Sequence, residues 1–316
     1  MINWLKNLVK QREFVITLIV VALFIMMTFA SPYFLTNANL LAVMLGLSLE
    51  AIIAVAMVHL MVTGGFDMSV GSIVAFTGAT TALILRAGVP VVLAVILGLI
   101  LGAAIGLFNG LIVAKIGINP FVTTLSSLSL YRGLTLIVTR GQNVTGLPAA
   151  FKAIGQAKFA GIQTPIIISV VLLIIGDILL RKSRFFRQSY YIGGNEHAAR
   201  LSGIAVDKIK ILAYVLTGLF AAISGIVMTA RLGSASVTAG TGLELRVITA
   251  VIIGGASLSG GEGTVLGAFL GTLLMGLISN ALTLTGVDVY WQTFVTGATL
   301  LTAVLIDTLS KKYKIS

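Results

Sequence analysis

VPVVLAVILGLILGAAIGLFNGLIV, residues 89–113, is an apolar run without a charged residue, and its reading decides the class of the protein. A helix that crosses a bilayer takes about 20 apolar residues, so this run is long enough to be one. Gly98, Gly102 and Gly106 recur at every fourth position and share one helical face. Such a stripe lets a neighbouring helix approach closely; it would equally serve as the weakly binding wall of a conduit for an uncharged polar solute. Working outward, comparable runs lie near 14–30, 40–63, 69–85, 120–138, 164–180, 211–230, 244–257, 263–285 and 290–308. The expectation is an all-α integral membrane protein of about ten spans, with eight to eleven compatible with the run lengths. The runs at 69–85 and 244–257 are short or broken by polar residues. Residues 247–257 cover only about half a bilayer, the length of a discontinuous or re-entrant element.

Composition agrees with that class. Of 316 residues, 58% are hydrophobic and 10% charged, where a soluble domain averages about 25% charged. Little chain remains for a soluble domain, which argues against a soluble enzyme, a nucleic-acid-binding domain and a disordered tail protein. The chain reads as one transmembrane domain over 1–316, in approximate halves 14–180 and 211–308 joined by the hydrophilic loop 181–210. The net charge of +11 must sit in loops, where it means orientation and attraction to an anionic leaflet, not nucleic acid. The absence of cysteine excludes disulfides and thiolate sites. His59 and His197 are far apart in segments of different kind, so no metal site is expected. The run 14–30 follows Lys6, Lys10 and Arg12 as a signal peptide would, but it is longer than a signal core and reads as a retained anchor.

Ten spans place both termini on one side. That side collects Lys6, Lys10, Arg12, Lys115, the seven basic residues of 181–210, Lys311, Lys312 and Lys314. The other holds Arg86, Arg140, Lys152, Lys158, Arg231 and Arg246. The positive-inside rule then makes the termini and the 181–210 loop cytoplasmic. Within this loop Gly193 and Gly194 predict a turn, Asn195 an N-cap for a short helix through Glu196–Leu201, and Gly203 its stop. An ordinary solvated basic linker is the plain alternative.

Two landmarks echo one another. Gly64-Gly65-Phe66-Asp67-Met68-Ser69 and Gly254-Gly255-Ala256-Ser257-Leu258-Ser259 are both Gly-Gly breaks followed by polar and small residues entering a new helix. Gly106-Leu107-Phe108-Asn109 resembles Gly276-Leu277-Ile278-Ser279-Asn280 in the same order. Weak internal repeats of this kind suggest a transporter whose halves meet at a midplane path. Gly64, Gly65, Asp67, Ser69, Asn109, Gly254, Gly255 and Asn280 are therefore path or gating candidates. Ionisable groups at membrane depth are functional candidates by default. Here they are Glu50, His59, Arg132 and Asp177, and the structural alternatives are a Glu50–Arg132 pair across a helix contact and an i,i+4 pair of Asp177 with Arg181. Asp67 or Ser69 offers an N-cap for the third helix. No G-x-x-x-x-G-K-[ST] loop occurs, so any ATPase is another chain.

These residues resemble a known family. GGFDMSVGS at 64–72 is similar to the GG-[IV]-D-L-S-V-G-S signature of permease subunits of bacterial ABC importers for ribose and related monosaccharides, departing from it at Phe66 and Met68. NPFVTTLSSLSLYRGLTLIVTRGQ (119–142), GGNEHAARLSGI (193–204) and TAVIIGGASLSGGEGTVLGAFLG (249–271) resemble further blocks of that family in the same order, across most of the chain. The resemblance implies a type II importer fold in the bacterial inner membrane and a second permease subunit, identical or closely related. It also implies a cytoplasmic ABC ATPase and an extracytoplasmic sugar-binding protein that confers most of the specificity. No cofactor is expected in this chain, since ATP and Mg would be bound by the partner ATPase, and no nucleic acid partner is expected. Transport would proceed by alternating access, with ribose foremost among cargoes and xylose, arabinose, galactose or autoinducer-2 as alternatives. Branched-chain amino acid permeases are more distant relatives.

By the same resemblance the segment Gly193, Gly194, Asn195, Glu196, Ala198, Ala199, Arg200, Leu201, Ser202, Gly203 and Ile204 is the ATPase-coupling loop. The importer pattern of Glu-Ala-Ala, three residues, then Gly is met at Ala198, Ala199 and Gly203, but His197 holds the Glu position and Glu196 lies one residue early. The outer loop 139–163, with Arg140, Lys152 and Lys158, is expected to touch the binding protein. A proton-coupled secondary carrier using Glu50, Asp67 or His59 is the rival reading. A membrane enzyme would need a nucleophile with its base, or a metal cluster, and neither appears.

Overall fold

The computed structural model describes residues 12–314; Lys6 and Lys10, placed before the first span by sequence, lie outside the described residues. Helices come in the order α1 (Arg12–Ala30), α2 (Asn37–Val62), α3 (Val70–Arg86), α4 (Val91–Leu111), α5 (Pro120–Thr139), α6 (Ala149–Gln156), α7 (Thr164–Lys182), α8 (Arg184–Gly194), α9 (Glu196–Leu201), α10 (Val206–Leu232), α11 (Leu243–Ile253), α12 (Val265–Leu284) and α13 (Val289–Lys314). A single π-helical turn, Ile112–Ile116, prolongs α4 and ends at Gly117, which is left-handed. The only sheet among the described residues is the hairpin β1 (Lys158–Phe159) and β2 (Ile162–Gln163).

Eight of these helices are long and apolar enough to cross a membrane. Of the ten runs read as spans in the sequence, the two whose helices are not, α3 and α11, are the two that are short or interrupted. With 11 residues, α11 is about 16 Å long and reaches roughly half-way through the hydrocarbon.

Two helices carry the packing. α2 touches α7, α8, α10, α11 and α12, and α10 touches α2, α3, α4 and α6, while α1 and α13 flank α12 and α11 at the periphery. The centre of α2 from Ala51 to Val62 is buried on every face, which is why its sequence is apolar all round and not striped. Apolar side chains on α1, α4, α5 and α7 remain exposed, as lipid-facing surfaces require.

The glycine stripe of α4 is a packing seam. A methyl group on Gly102 would strike the Gly218 carbonyl and Ala222, and one on Gly106 would strike the Tyr214 carbonyl. Gly110 continues the row against Ile211 and Tyr214. The backbones of α4 and α10 therefore run in direct van der Waals contact, as small residues allow in lipid.

Paired contacts sort the loops to two ends of the bundle. Lys115, after α4, bridges to Asp207 at the start of α10, and Glu13 of α1 accepts from Thr264 before α12. At the opposite end Val144 and Ala235 form a β-bridge, and Asn39 and Asn280 exchange amide hydrogen bonds. The segment 139–163, read from the sequence as an outside loop, contains α6 and the hairpin. Ala160 and Gly161 at its turn both have positive φ, the geometry of a two-residue hairpin loop.

Candidate functional site

The two Gly-Gly breaks end their helices in the same way, displaced by one residue from the sequence match. After α2, Gly64 N–H donates to Met61 O and Gly65 N–H to Leu60 O; after α11, Gly255 N–H donates to Ile252 O and Ala256 N–H to Val251 O. Gly64 and Gly255 have φ of 82° and 96°, so each occupies the left-handed position of a Schellman cap, which glycine alone adopts freely. The structural equivalents are Gly64 with Gly255 and Gly65 with Ala256, not Gly64 with Gly254.

The second landmark is not a repeat. Asn109 lies near the end of α4 at the Lys115 side, fully buried. Asn280 lies near the far end of α12, paired with Asn39. The spacing from Gly to Asn also differs, three residues in Gly106–Asn109 and four in Gly276–Asn280, and the two asparagines serve unrelated helix contacts.

Asp67, Ser69 and Asn109 converge on a closed network. Asp67 Oδ1 accepts from Ser69 N–H at 2.7 Å and from Ser69 Oγ at 2.6 Å, and Asn109 Nδ2 donates to Asp67 Oδ2 at 3.3 Å and to Ser69 Oγ at 3.0 Å. Ser127 of α5, unremarked in the sequence, completes it by donating to Asn109 Oδ1 at 2.6 Å. Asp67, Ser69 and Asn109 have no exposed surface, and Tyr214 closes the turn by donating to Phe66 O. Ser69 occupies the N-cap position but makes no side-chain cap bond; Asp67, two residues earlier, accepts from the N–H of Ser69 itself, an Asx turn leading into the helix. The network ties α3, α4 and α5 together.

An open cavity of about 330 Å³ lies elsewhere, between α2, α11 and α12, lined by Ala42, Val43, Gly46, Leu47, Glu50, Arg246, Met275, Gly276, Ser279, Asn280 and Thr283. It extends from the Asn39–Asn280 pair at one end of the bundle toward the middle of α2. There Glu50 forms an ion pair of 2.9 Å with Arg246 of α11. Arg132, the partner suggested for Glu50 by sequence, instead donates to the carbonyls of Val237 and Ala239; α11 begins after that loop and carries Arg246 inward, a placement no spacing rule reveals. Small side chains, hydroxyls, the amide of Asn280 and the Glu50–Arg246 ion pair line this cavity. Of the path candidates, Asn280 lines it.

At the opposite end, α8 and α9 form the 183–205 loop. Gly193 and Gly194 do not make a turn: they are the last residues of α8, a helix unforeseen from the basic, aromatic sequence RFFRQSYYIGG. Asn195 caps α9, its side chain accepting from Ala198 N–H at 3.0 Å, and Gly203, at φ 79°, follows the helix end. Ala199 and Ile204 face inward onto Ile192, Val206 and Ile209, while His197, Ala198 and Leu201 face outward, Leu201 with 78% of its surface exposed.

Charges hold α9 to its neighbours. Arg200 bridges to Glu196 and Asp207, Lys210 to Glu196, and Lys115 to Asp207. Partial burial opposes ionisation of Glu196, but hydrogen bonds from Lys210 and Arg200 outweigh it and hold the carboxyl below its usual range. Asp177 pairs with Arg181 at 2.7 Å across one helical turn.

Comparisons with known proteins accord with this geometry. Residues 39–304 match the family described as branched-chain amino acid transport system / permease component. The ribose import permease protein of Bacillus subtilis is 43% identical over 90% of this chain and 89% of its own. That of Escherichia coli K12 is 42% identical over 95% and 94%. The L-arabinose transport system permease protein of Escherichia coli K12 is 39% identical over 92% and 89%. No solved structure matches the chain. A multi-span helical bundle matched over most of its length by this family and by such relatives belongs to it: the chain is a membrane-embedded transport-system permease component of the branched-chain amino acid permease family.

Proposed function

We propose that this chain is the permease subunit of an ATP-driven importer and that its cargo is ribose. The observation that carries the reading is the end-to-end likeness to two ribose import permeases at 42 and 43% identity. The α8–α9 end is the cytoplasmic one, where the basic residues of 181–210 gather, and both termini share that side. There α9 presents Leu201 and His197 to a cleft of a separate ATPase, with Gly193–Ile204 as the coupling segment. A second permease subunit, identical or closely related, completes the path, and an extracytoplasmic binding protein releases sugar into it at the Asn39–Asn280 end. The cavity between α2, α11 and α12 is this subunit's wall of that path. Its mixed lining contains no aromatic stacking platform, consistent with passage and not retention, so that discrimination rests with the binding protein.

The discriminating experiment is a thermal-shift screen of the partner binding protein against pentoses, hexoses and autoinducer-2. Stabilisation by ribose is expected. Stabilisation by arabinose alone would move the assignment to that sugar, and no shift with any sugar would overturn the monosaccharide reading.

A further inference from the structure

Among the contacts of α8 with the remainder of the bundle, three within five residues fall on or near the two glycine breaks. Ser189, fully buried, shares a hydrogen bond of 2.9 Å between its Oγ and His59 Nε2, one turn before α2 ends. Tyr190 donates its hydroxyl to Gly263 O at 2.8 Å, in the segment between α11 and α12. Gly193 approaches so closely that a methyl group there would collide with the Val62 carbonyl and with the backbone of Gly260 and Gly261. The breaks also touch each other: Gly261 N–H donates to Val62 O at 2.9 Å, and Gly260 packs against the backbone of Gly64. Beyond Gly194, a single residue, Asn195, separates α8 from α9, and Ile192 locks into the apolar cluster formed by Ala199, Val206 and Ile209. The two helices therefore behave as one angled strut, with α9 at its outer tip and both breaks under its inner end.

We propose that α8 is the transmission element of this permease: a displacement of α9 reaches α2–α3 and α11–α12 together through Ser189, Tyr190 and the Gly193 backbone. This assigns positioning roles to Ser189, Tyr190 and His59, none of which touches the outer surface of α9. Because the two breaks share one contact point, their movements are coupled, and the path wall formed by α2, α11 and α12 changes as a unit. The inference rests on the ATP-driven reading above, and its test separates the two.

The variants are Tyr190→Phe and Ser189→Ala, each removing one hydroxyl and leaving the outer face of α9 intact. The full complex of permease, ATPase and ribose-loaded binding protein is reconstituted in proteoliposomes. Both variants are expected to co-purify with the ATPase and to retain its basal hydrolysis. The ribose-stimulated component and the uptake per ATP are expected to fall at least about fivefold, the lower end of usual coupling strengths. As a readout that needs no variant, trapping the wild-type ATPase closed should change amide exchange at 63–69 and 254–263 together. Undiminished stimulation in both variants, or exchange that changes at one break and not the other, would overturn the strut. Absence of any ribose stimulation in the wild type would instead overturn the transport reading on which it rests.

Discussion

Asp67 and Glu50 are the two acidic groups at membrane depth whose partners decide what they do. Asp67 is surrounded by donors from Ser69 and Asn109 and has no exposed surface, so its carboxylate is a structural acceptor. Asp67→Asn keeps an acceptor for Ser69 but turns an amide toward the amide of Asn109. An unfolding titration in detergent should show a loss of about 1–3 kcal/mol, the cost of a buried polar group left unmatched, with normal uptake in the folded fraction. Full stability with lost uptake would give Asp67 a part in movement. Glu50 is paired with Arg246 at the cavity wall, and Glu50→Gln separates the rival mechanisms. An ATP-driven permease should retain uptake close to the parent level, whereas a proton-coupled carrier relying on Glu50 should lose it. Sequence reading found both acids, but it matched Glu50 to Arg132 because two unlike charges in apolar segments are natural partners. The pair actually formed depends on where α11 begins, after an irregular loop, and that is a tertiary fact.

Among the elements, the α4–α10 seam and the α8–α9 strut were legible to different degrees. The stripe Gly98, Gly102, Gly106 could be read directly, since a fourfold spacing of glycines has a close helix approach as its commonest cause; its partner could not. Gly106→Ala places a methyl group against the Tyr214 carbonyl, and overpacking of this kind should cost about 1–3 kcal/mol in the same unfolding assay. Gly133→Ala on α5, where a methyl group meets nothing, should leave stability unchanged or slightly raised, and equal loss in both would refute the seam. The short helix α9 was foreseen from Asn195 and Gly203 because capping is local. α8 was not, although RFFRQSYYIGG is strongly amphipathic at the helical period; its basic composition and terminal Gly-Gly favoured a solvated linker ending in a turn. Its fold comes from burying Ser189 and Ile192 against other elements.

The ion network around α9 has a definite acid dependence. Glu196 has a lowered folded value, so the stabilisation it gives is complete above the unfolded value of about 4.3 and is lost as pH falls through the lower folded one. Amide protection over 196–207, taken relative to the intrinsic exchange rate at each pH, should therefore be constant from neutral pH to about 5 and fall only in stronger acid. It should also fall in high salt, because these pairs are partly exposed and screened. A loss of protection between pH 6 and 7 would contradict this dependence.

For the whole molecule, composition alone was enough for an all-helical membrane protein, because 316 residues with 10% charge cannot clothe a soluble surface. The two short helices were also visible as interrupted runs, and the first glycine break was matched to the second within one residue. The path was much less legible. Of the candidates, Asp67, Ser69 and Asn109 form an internal brace and Asn280 borders the open cavity, since a polar residue in an apolar run looks the same whether it faces a neighbour or a conduit. The central claim is that this bundle moves ribose by borrowing work from a separate ATPase at its α9 end. The most direct measurement is uptake of radiolabelled ribose into proteoliposomes holding the permease with its ATPase and binding protein, with ATP supplied on the ATPase side. The account predicts uptake that requires ATP and both partners and that persists when the proton gradient is collapsed. Uptake by the permease alone, driven by a proton gradient without ATP, would contradict it.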